Sequence, residues 1–161
     1  ADEQGSVWMA HQSGVLQRFD YARRQWQNLD TPRRALRRPL VHAVDGAAAQ
    51  IGALRKAVQG LRVTAEVRDL AKSPLTTAEL NAFDAVVFDP PRAGAAAQVA
   101  ELAASGVPVV VAVSCNPSTL ARDLRLLVDG GYRITSVTPV DQFTWSSHLE
   151  AVVTLHRPEG V

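Results

Sequence analysis

From Leu40 onward the apolar positions alternate between short continuous runs and helical spacing. Residues 40–44, apolar but for His42, are a strand candidate that stops at Asp45-Gly46, a turn signal. Ile51, Leu54 and Val58 then recur at helical spacing, predicting a helix over 47–58 that Gly60 ends. A strand is expected over 61–67, ending at Arg68-Asp69. A short helix is expected over 76–83, capped by Thr76 with Glu79 three residues later. Next come a strand over 85–88, a helix over 95–104, a strand over 107–113 and a helix over 118–128 closed by Gly130-Gly131. Two late strands, 132–140 and 150–155, have no obvious helix between them. Strands alternating with helices imply parallel pairing and right-handed crossovers, and the last two strands imply an antiparallel ending.

The first thirty residues follow another rhythm. Segments 7–11 and 15–19 flank Gln12-Ser13-Gly14 and predict a β-hairpin. Trp26 either continues a third strand or packs on the core. Arg33, Arg34, Arg37 and Arg38 follow as a basic cluster. Such a run reads first as a solvated face, with contact to RNA phosphate as the sharper alternative.

Composition changes this picture in few places. The length suits one domain with a real core. A net charge of +1 means the chain as a whole is no polycation. One cysteine excludes an internal disulfide and a multi-cysteine metal site, and a reducing cytoplasm is the default. No run approaches membrane-spanning length, and the first residues lack the basic and apolar regions of a signal peptide. His11, His42, His148 and His156 show no metal-ligand spacing.

The candidate chemistry sits at two strand ends. Ser114-Cys115-Asn116-Pro117 places the sole cysteine after one strand and before a helix. Ligands of open α/β sheets gather at such ends, and a helix N-terminus favours the nucleophilic thiolate. For a lone cysteine the plain alternative is a buried structural thiol. Phe88-Asp89-Pro90-Pro91-Arg92 gives a second polar strand end. Its prolines cannot donate ladder hydrogen bonds, so the strand stops there. Asp89 could close a simple turn, but two such ends in succession favour a shared crevice.

These pieces together resemble the S-adenosylmethionine-dependent RNA uracil-5 methyltransferases, which modify transfer and ribosomal RNA. The matching residues are Val44-Asp45-Gly46, Arg68-Asp69, FDPPRAG from Phe88, SCNPSTLARD from Ser114, Val140-Asp141-Gln142-Phe143, and His148-Leu149-Glu150. Their order and spacing match over residues 40–158. The resemblance implies an α/β fold with a Rossmann-like methyltransferase sheet, mostly parallel with an antiparallel ending. It implies Cys115 as nucleophile and Glu150 as the base that removes the carbon-5 proton. Placement at the start of a Val-rich strand suggests partial burial of Glu150, which suits a general base; read alone, it is an edge-strand charge. By the same resemblance Asp45, Asp69 and Asp89 face S-adenosylmethionine, with Asp45 on the ribose, Asp69 near the adenine and Asp89 between cofactor and base. Read alone, each is a strand-end turn acid. Arg92 and Arg122 either meet RNA phosphate or tie the loops together by salt bridges.

One stretch departs from the family pattern. A glycine-rich cofactor loop is expected just before Leu40, but residues 28–39 hold no glycine. The family's upstream RNA-binding barrel and, in some members, its iron–sulfur cysteines do not appear. The expectation is therefore a carboxyl-terminal fragment, a truncated product or a degenerate relative. Residues 1–39 would form an extension and 40–161 a catalytic domain with weak cofactor binding. Partners would be rRNA or tRNA, with no membrane and no metal. The rival readings are a silent RNA-binding or interaction module and, more weakly, a thiol enzyme acting on another planar molecule.

Overall fold

The computed structural model describes residues 7–10, 16–20, 25–29, 41–141 and 149–158. The expected turn at 12–14, the arginine cluster at 33–38, and Gln142, Phe143 and His148 lie outside the described residues. The chain divides into two compact units, Ala1–Arg68 and Asp69–Val161.

The first unit opens with an antiparallel meander of β1 (Val7–Ala10), β2 (Leu16–Asp20) and β3 (Gln25–Leu29). The hairpin expectation holds, and Trp26 falls in the third strand. A βαβ unit follows: β4 (Val41–Asp45), α1 (Ala48–Ala57) and β5 (Val63–Val67), with β4 and β5 parallel from Val41–Val63 to Asp45–Val67. Ile51 is the buried residue of α1. Arg55 ties this helix to the sheet by donating Nε and Nη2 to the Ala65 carbonyl, at 2.9 and 2.7 Å. The second strand starts two residues later than its apolar pattern suggests. Gly60, at φ +80°, and the Leu61 N–H bonded to Val58 O still belong to the turn.

The second unit contains α2 (Thr77–Leu80), β6 (Ala85–Phe88), α3 (Ala96–Ala104), β7 (Val109–Ser114), α4 (Pro117–Asp129), β8 (Arg133–Val140) and β9 (Glu150–His156). Its sheet runs β6-β7-β9-β8. The first pair is parallel, and the other two are antiparallel, as the missing helix between the last strands implied. Thr76 and Glu79 form the expected capping box. The helix itself ends at Leu80, with Asn81 as its cap, rather than reaching Phe83.

Alternation along β7 decides which face carries the core. Val110, Ala112 and Ser114 are buried, while Val109, Val111 and Val113 are half-buried. The buried row meets Val153 and Leu155 of β9 and the apolar stripes of α3 and α4: Val99, Leu102, Leu120 and Leu127. Each full burial of such a side chain is worth about 1.5–3 kcal/mol. The two helices cross closely at Gly130, where a Cβ would lie 2.7 Å from the Ala103 Cβ and carbonyl oxygen.

Polar latches fix the helices around this core. Buried Gln98 bonds both backbone groups of Leu75, at 2.7 and 3.0 Å. At the opposite end of the helices, Arg157 donates to Ala103 O (2.8 Å) and Gly130 O (3.0 Å), with its guanidinium 4.3 Å from the Tyr132 ring centre. Tyr132 in turn donates to Val107 O at 2.8 Å. A cation thus satisfies carbonyls at the C-terminal ends of α3 and α4, where the helix dipoles favour positive charge. Arg157→Ala should lower the unfolding free energy by about 2 kcal/mol or more, the scale of hydrogen bonds to a charged donor. Urea unfolding followed by circular dichroism checks this, with Arg157→Lys expected to lose less.

Candidate active site

Strand direction gathers three of the expected residues at one end of the sheet. β6 and β7 are parallel, so Asp89 and Cys115 each follow a carboxyl end on the same side. β9 is antiparallel to β7 and begins on that side. The last register pair of β7 and β9 is Ser114–Ala151. One step beyond it stand Cys115 on one strand and Glu150 on the other. Cys115 is a half-buried free thiol. Glu150 is half-buried, as its setting suggested, and Asp89 is exposed.

The turn carrying the thiol is built by its neighbours. Buried Ser114 Oγ accepts from Asn116 N (3.1 Å) and donates to Asn116 O (3.3 Å). Asn116 Oδ1 caps α4 by accepting from Ser118 N at 3.1 Å, and Pro117 occupies the first helical turn, where a missing N–H costs nothing. The helix therefore starts one residue earlier than its apolar period alone suggested.

The same helix end grips the loop that follows Asp89. Asn116 Nδ2 and Thr119 Oγ1 both donate to Arg92 O, at 2.9 and 3.1 Å. Arg122 Nη2 donates to Ala93 O at 3.0 Å. Asp123 Oδ2 accepts from Ala95 N at 2.7 Å, and its Oδ1 accepts from Arg122 Nε and Nη2. Between these contacts Gly94 sits at φ +80°. A Cβ there would overlap the Arg122 guanidinium and come within 2.7 Å of the Asp123 carboxylate. Glycine is required twice, by backbone and by space.

Of the two roles open to Arg122 from sequence, its hydrogen bonds are those of a loop tie. Arg92 contributes its carbonyl to the same tie, and the residue is exposed. Asn116, Thr119 and Asp123 lie within the SCNPSTLARD run, but sequence reasoning assigned none of them a role. The available signal was a glycine in the loop after Asp89, paired with polar residues recurring along the first turns of the next helix.

The other two acids lie at the ends of the parallel strands β4 and β5. Asp45, in the first unit, is exposed and accepts from Ala47 N at 2.6 Å, closing the turn into α1. Asp69 opens the second unit. Its Oδ1 accepts from Ala71 N at 3.1 Å and its Oδ2 pairs with Lys72 Nζ at 3.1 Å. The hydrogen bond from Lys72 holds this carboxyl below its ordinary range. Among the described residues, no three His, Cys, Asp or Glu residues cluster as metal ligands, and no helix is long and apolar enough to cross a membrane.

Comparison with known proteins gives these positions a frame. An uncharacterized RNA methyltransferase of Mesorhizobium japonicum is 62% identical over 122 residues, which make up 73% of this chain and 30% of that protein. A relative from Rhizobium meliloti with the same description is 59% identical over 128 residues, 77% of this chain and 31% of that protein. The chain thus spans about a third of the length of these relatives. Among solved structures, the tRNA (uracil-54, C5)-methyltransferase of Pyrococcus abyssi, in complex with S-adenosyl-L-homocysteine, matches with a TM-score of 0.60 and 32% identity, over 71% of this chain and 28% of that one. The N-methyltransferase NodS of Bradyrhizobium japonicum, at 12% identity and a TM-score of 0.55, covers 73% of this chain and 66% of its own. That likeness is one of fold, the Rossmann-like methyltransferase fold. The family model described as tRNA (uracil-5-)-methyltransferase matches residues 53–158, most of the chain including the gripped loop after Asp89, the Cys115 turn and the strand that begins at Glu150, and the chain belongs to that family.

Proposed function

We propose that this chain carries the catalytic core for methyl transfer to carbon 5 of uridine in transfer or ribosomal RNA, with S-adenosylmethionine as donor. The observation that supports the reading is the register of β7 with β9, whose last pair, Ser114–Ala151, leaves a lone half-buried thiol and a half-buried carboxylate one step further on at the same end of the sheet, the end from which the Asp89 loop leaves β6. When bound, the cofactor supplies an electrophilic methyl group on a sulfonium.

Its fit to the three acids is uneven. Asp45 uses one carboxylate oxygen in its own turn, and the exposed group can accept from a ribose hydroxyl with the other. Asp89 is exposed and suits the donor side of a planar ligand. Asp69 fits an adenine contact least well, because both its oxygens already have local partners.

The chemistry of the residues follows from the inertness of uracil. Carbon 5 is a weak nucleophile. Addition of the Cys115 thiolate to carbon 6 forms a C–S bond and pushes an electron pair onto the ring as an enolate, whose carbon 5 can then take the methyl group. Glu150 removes the remaining proton from carbon 5. The electron pair of that C–H bond re-forms the ring double bond and expels the thiolate. Covalent catalysis here divides one difficult substitution into two accessible steps. Asp89, held beside the thiol by its loop, orients the base. Exposed Arg92 is placed to meet RNA phosphate.

The silent-module reading draws on one feature, the absence of glycine from residues 28–39. A side chain there would obstruct close backbone approach to the cofactor. Calorimetry on this chain is accordingly expected to give weak or undetectable binding of S-adenosylmethionine. A dissociation constant near 1 μM, about −8 kcal/mol, would show that the loop has been compensated.

Where the cofactor binds, alone or with an upstream segment supplied, the covalent step is tested with RNA containing 5-fluorouridine under saturating cofactor. Fluorine in place of the departing proton should trap a Cys115-linked RNA that survives denaturation, and Cys115→Ala should give none. Methyl transfer without trapping would remove the covalent mechanism.

Where activity is present or is restored by an upstream segment, Glu150→Gln separates addition from release on ordinary RNA. The amide keeps the shape but cannot take the proton, so a methylated, protein-linked RNA should accumulate. Turnover should fall by about 10²-fold or more, the usual share of a positioned general base. Near-normal turnover would return Glu150 to a plain strand charge.

A further inference from the structure

α3 begins without a cap of its own. Ala95 stands at its N-cap position with no side-chain hydrogen bond, and its first turn holds no acid. The missing negative group comes from another helix: the Asp123 carboxylate, 1% exposed, accepts the Ala95 N–H. A carboxylate so buried needs a partner, and Arg122 supplies it with two donors on Oδ1 at 3.0 and 2.8 Å. The guanidinium then reaches on to Ala93 O. Asn116, Thr119 and Asp123 lie three and four residues apart, hence on one face of α4. Together with Arg122 they satisfy three backbone groups, Arg92 O, Ala93 O and Ala95 N, of the loop that begins at Asp89.

We infer that Asp123, with Arg122, is a positioning residue for the Cys115 site. It locks the Asp89 loop onto the first turns of α4, and so fixes the thiol and the Asp89 carboxylate relative to each other. Asn116 transmits the constraint, since its amide oxygen caps the helix one residue after the thiol while its amide nitrogen holds Arg92. Neither Asp123 nor Arg122 touches the reacting atoms. This inference rests on the reading of Cys115 as nucleophile for its purpose, but not for its test.

The sole cysteine makes the test direct. Alkylation of the native chain by iodoacetamide, followed by intact mass, reads only Cys115. In the wild-type chain the half-buried thiol should react slowly. Asp123→Ala should speed alkylation about five-fold or more, the increase in local opening expected when a charge-assisted tie is lost. Asp123→Asn keeps an acceptor for Ala95 N–H but turns an NH2 donor toward Arg122, and its rate should fall between those of wild type and Asp123→Ala. Arg157→Ala, which weakens the far end of the same helices, controls for global stability and should leave the rate unchanged well below its melting temperature. Equal rates in Asp123→Ala and wild type, or an equal rise in Arg157→Ala, would overturn the inference. Should Asp123→Ala fail to fold, Thr119→Val removes the tie to Arg92 O and Arg122→Met removes the ties to Ala93 O and the Asp123 carboxylate, both at less buried positions. Each should raise the rate by about two-fold or more, and no rise in either would overturn the inference as well. The readout uses neither RNA nor cofactor. A positive result beside absent methyl transfer would therefore remove the proposed function and leave the positioning role standing.

Discussion

The pairing of β7 with β9 is the constraint on which the second unit depends. It sets Val110 and Ala112 beside Leu155 and Val153 on the face that meets α3 and α4. The same register carries Ser114 opposite Ala151 and so brings Cys115 and Glu150 to one end of the sheet. A slip of one residue would turn the buried row of β7 outward and expose its apolar side chains. Core and candidate site are therefore specified by a single choice of register. The hydrophobic cost of the wrong register protects a polar arrangement that has little stability of its own to offer.

Much of this was legible in the sequence because the signals were local. Period changes located every strand and helix of residues 41–141 to within a few positions. The Thr76–Glu79 spacing gave a cap that the structure contains. Strand-end placement of Asp89 and Cys115 followed from where the apolar runs stopped, and parallel pairing then put them on one side. What could not be read was the tie between the two motifs. Asp123 falls in a helical pattern beside Arg122, and an acid next to a base on a helix ordinarily faces water. Its burial depends on a loop twenty-eight residues away, a separation at which periodicity says nothing. Gly94 was the local trace of that tie, but its need for space appears only when Arg122 and Asp123 are seen against it.

The two ends of the α3–α4 pair solve one electrostatic problem with opposite charges. At the C-terminal ends Arg157 collects the carbonyls of Ala103 and Gly130. At the other end the Asp123 carboxylate collects the Ala95 N–H. Each charge opposes a helix dipole, and each has a further partner: the Tyr132 ring for Arg157, the Arg122 guanidinium for Asp123. Only the second lies beside the candidate site. The fold thus separates a latch remote from the candidate site from a latch that borders it.

Strand-end acids are common in this topology, and what distinguishes them is how far the chain itself satisfies each carboxylate. Asp69 is fully engaged by Ala71 N and Lys72, and the ammonium keeps it ionised below the ordinary carboxylate range. Any stability this lowered value contributes is present at neutral pH and fades only as pH falls through it. With both partners exposed that contribution is small. Asp45 is half engaged, through Ala47 N. Asp89 is exposed, and its loop is held by carbonyls and an N–H further along, so that the carboxylate is spared from holding it. A side chain that does not have to build its own turn is available for a ligand. By that measure the loop tie from α4 does more than fix a distance. It takes over the structural work at the β6 end and leaves the acid there open for chemistry.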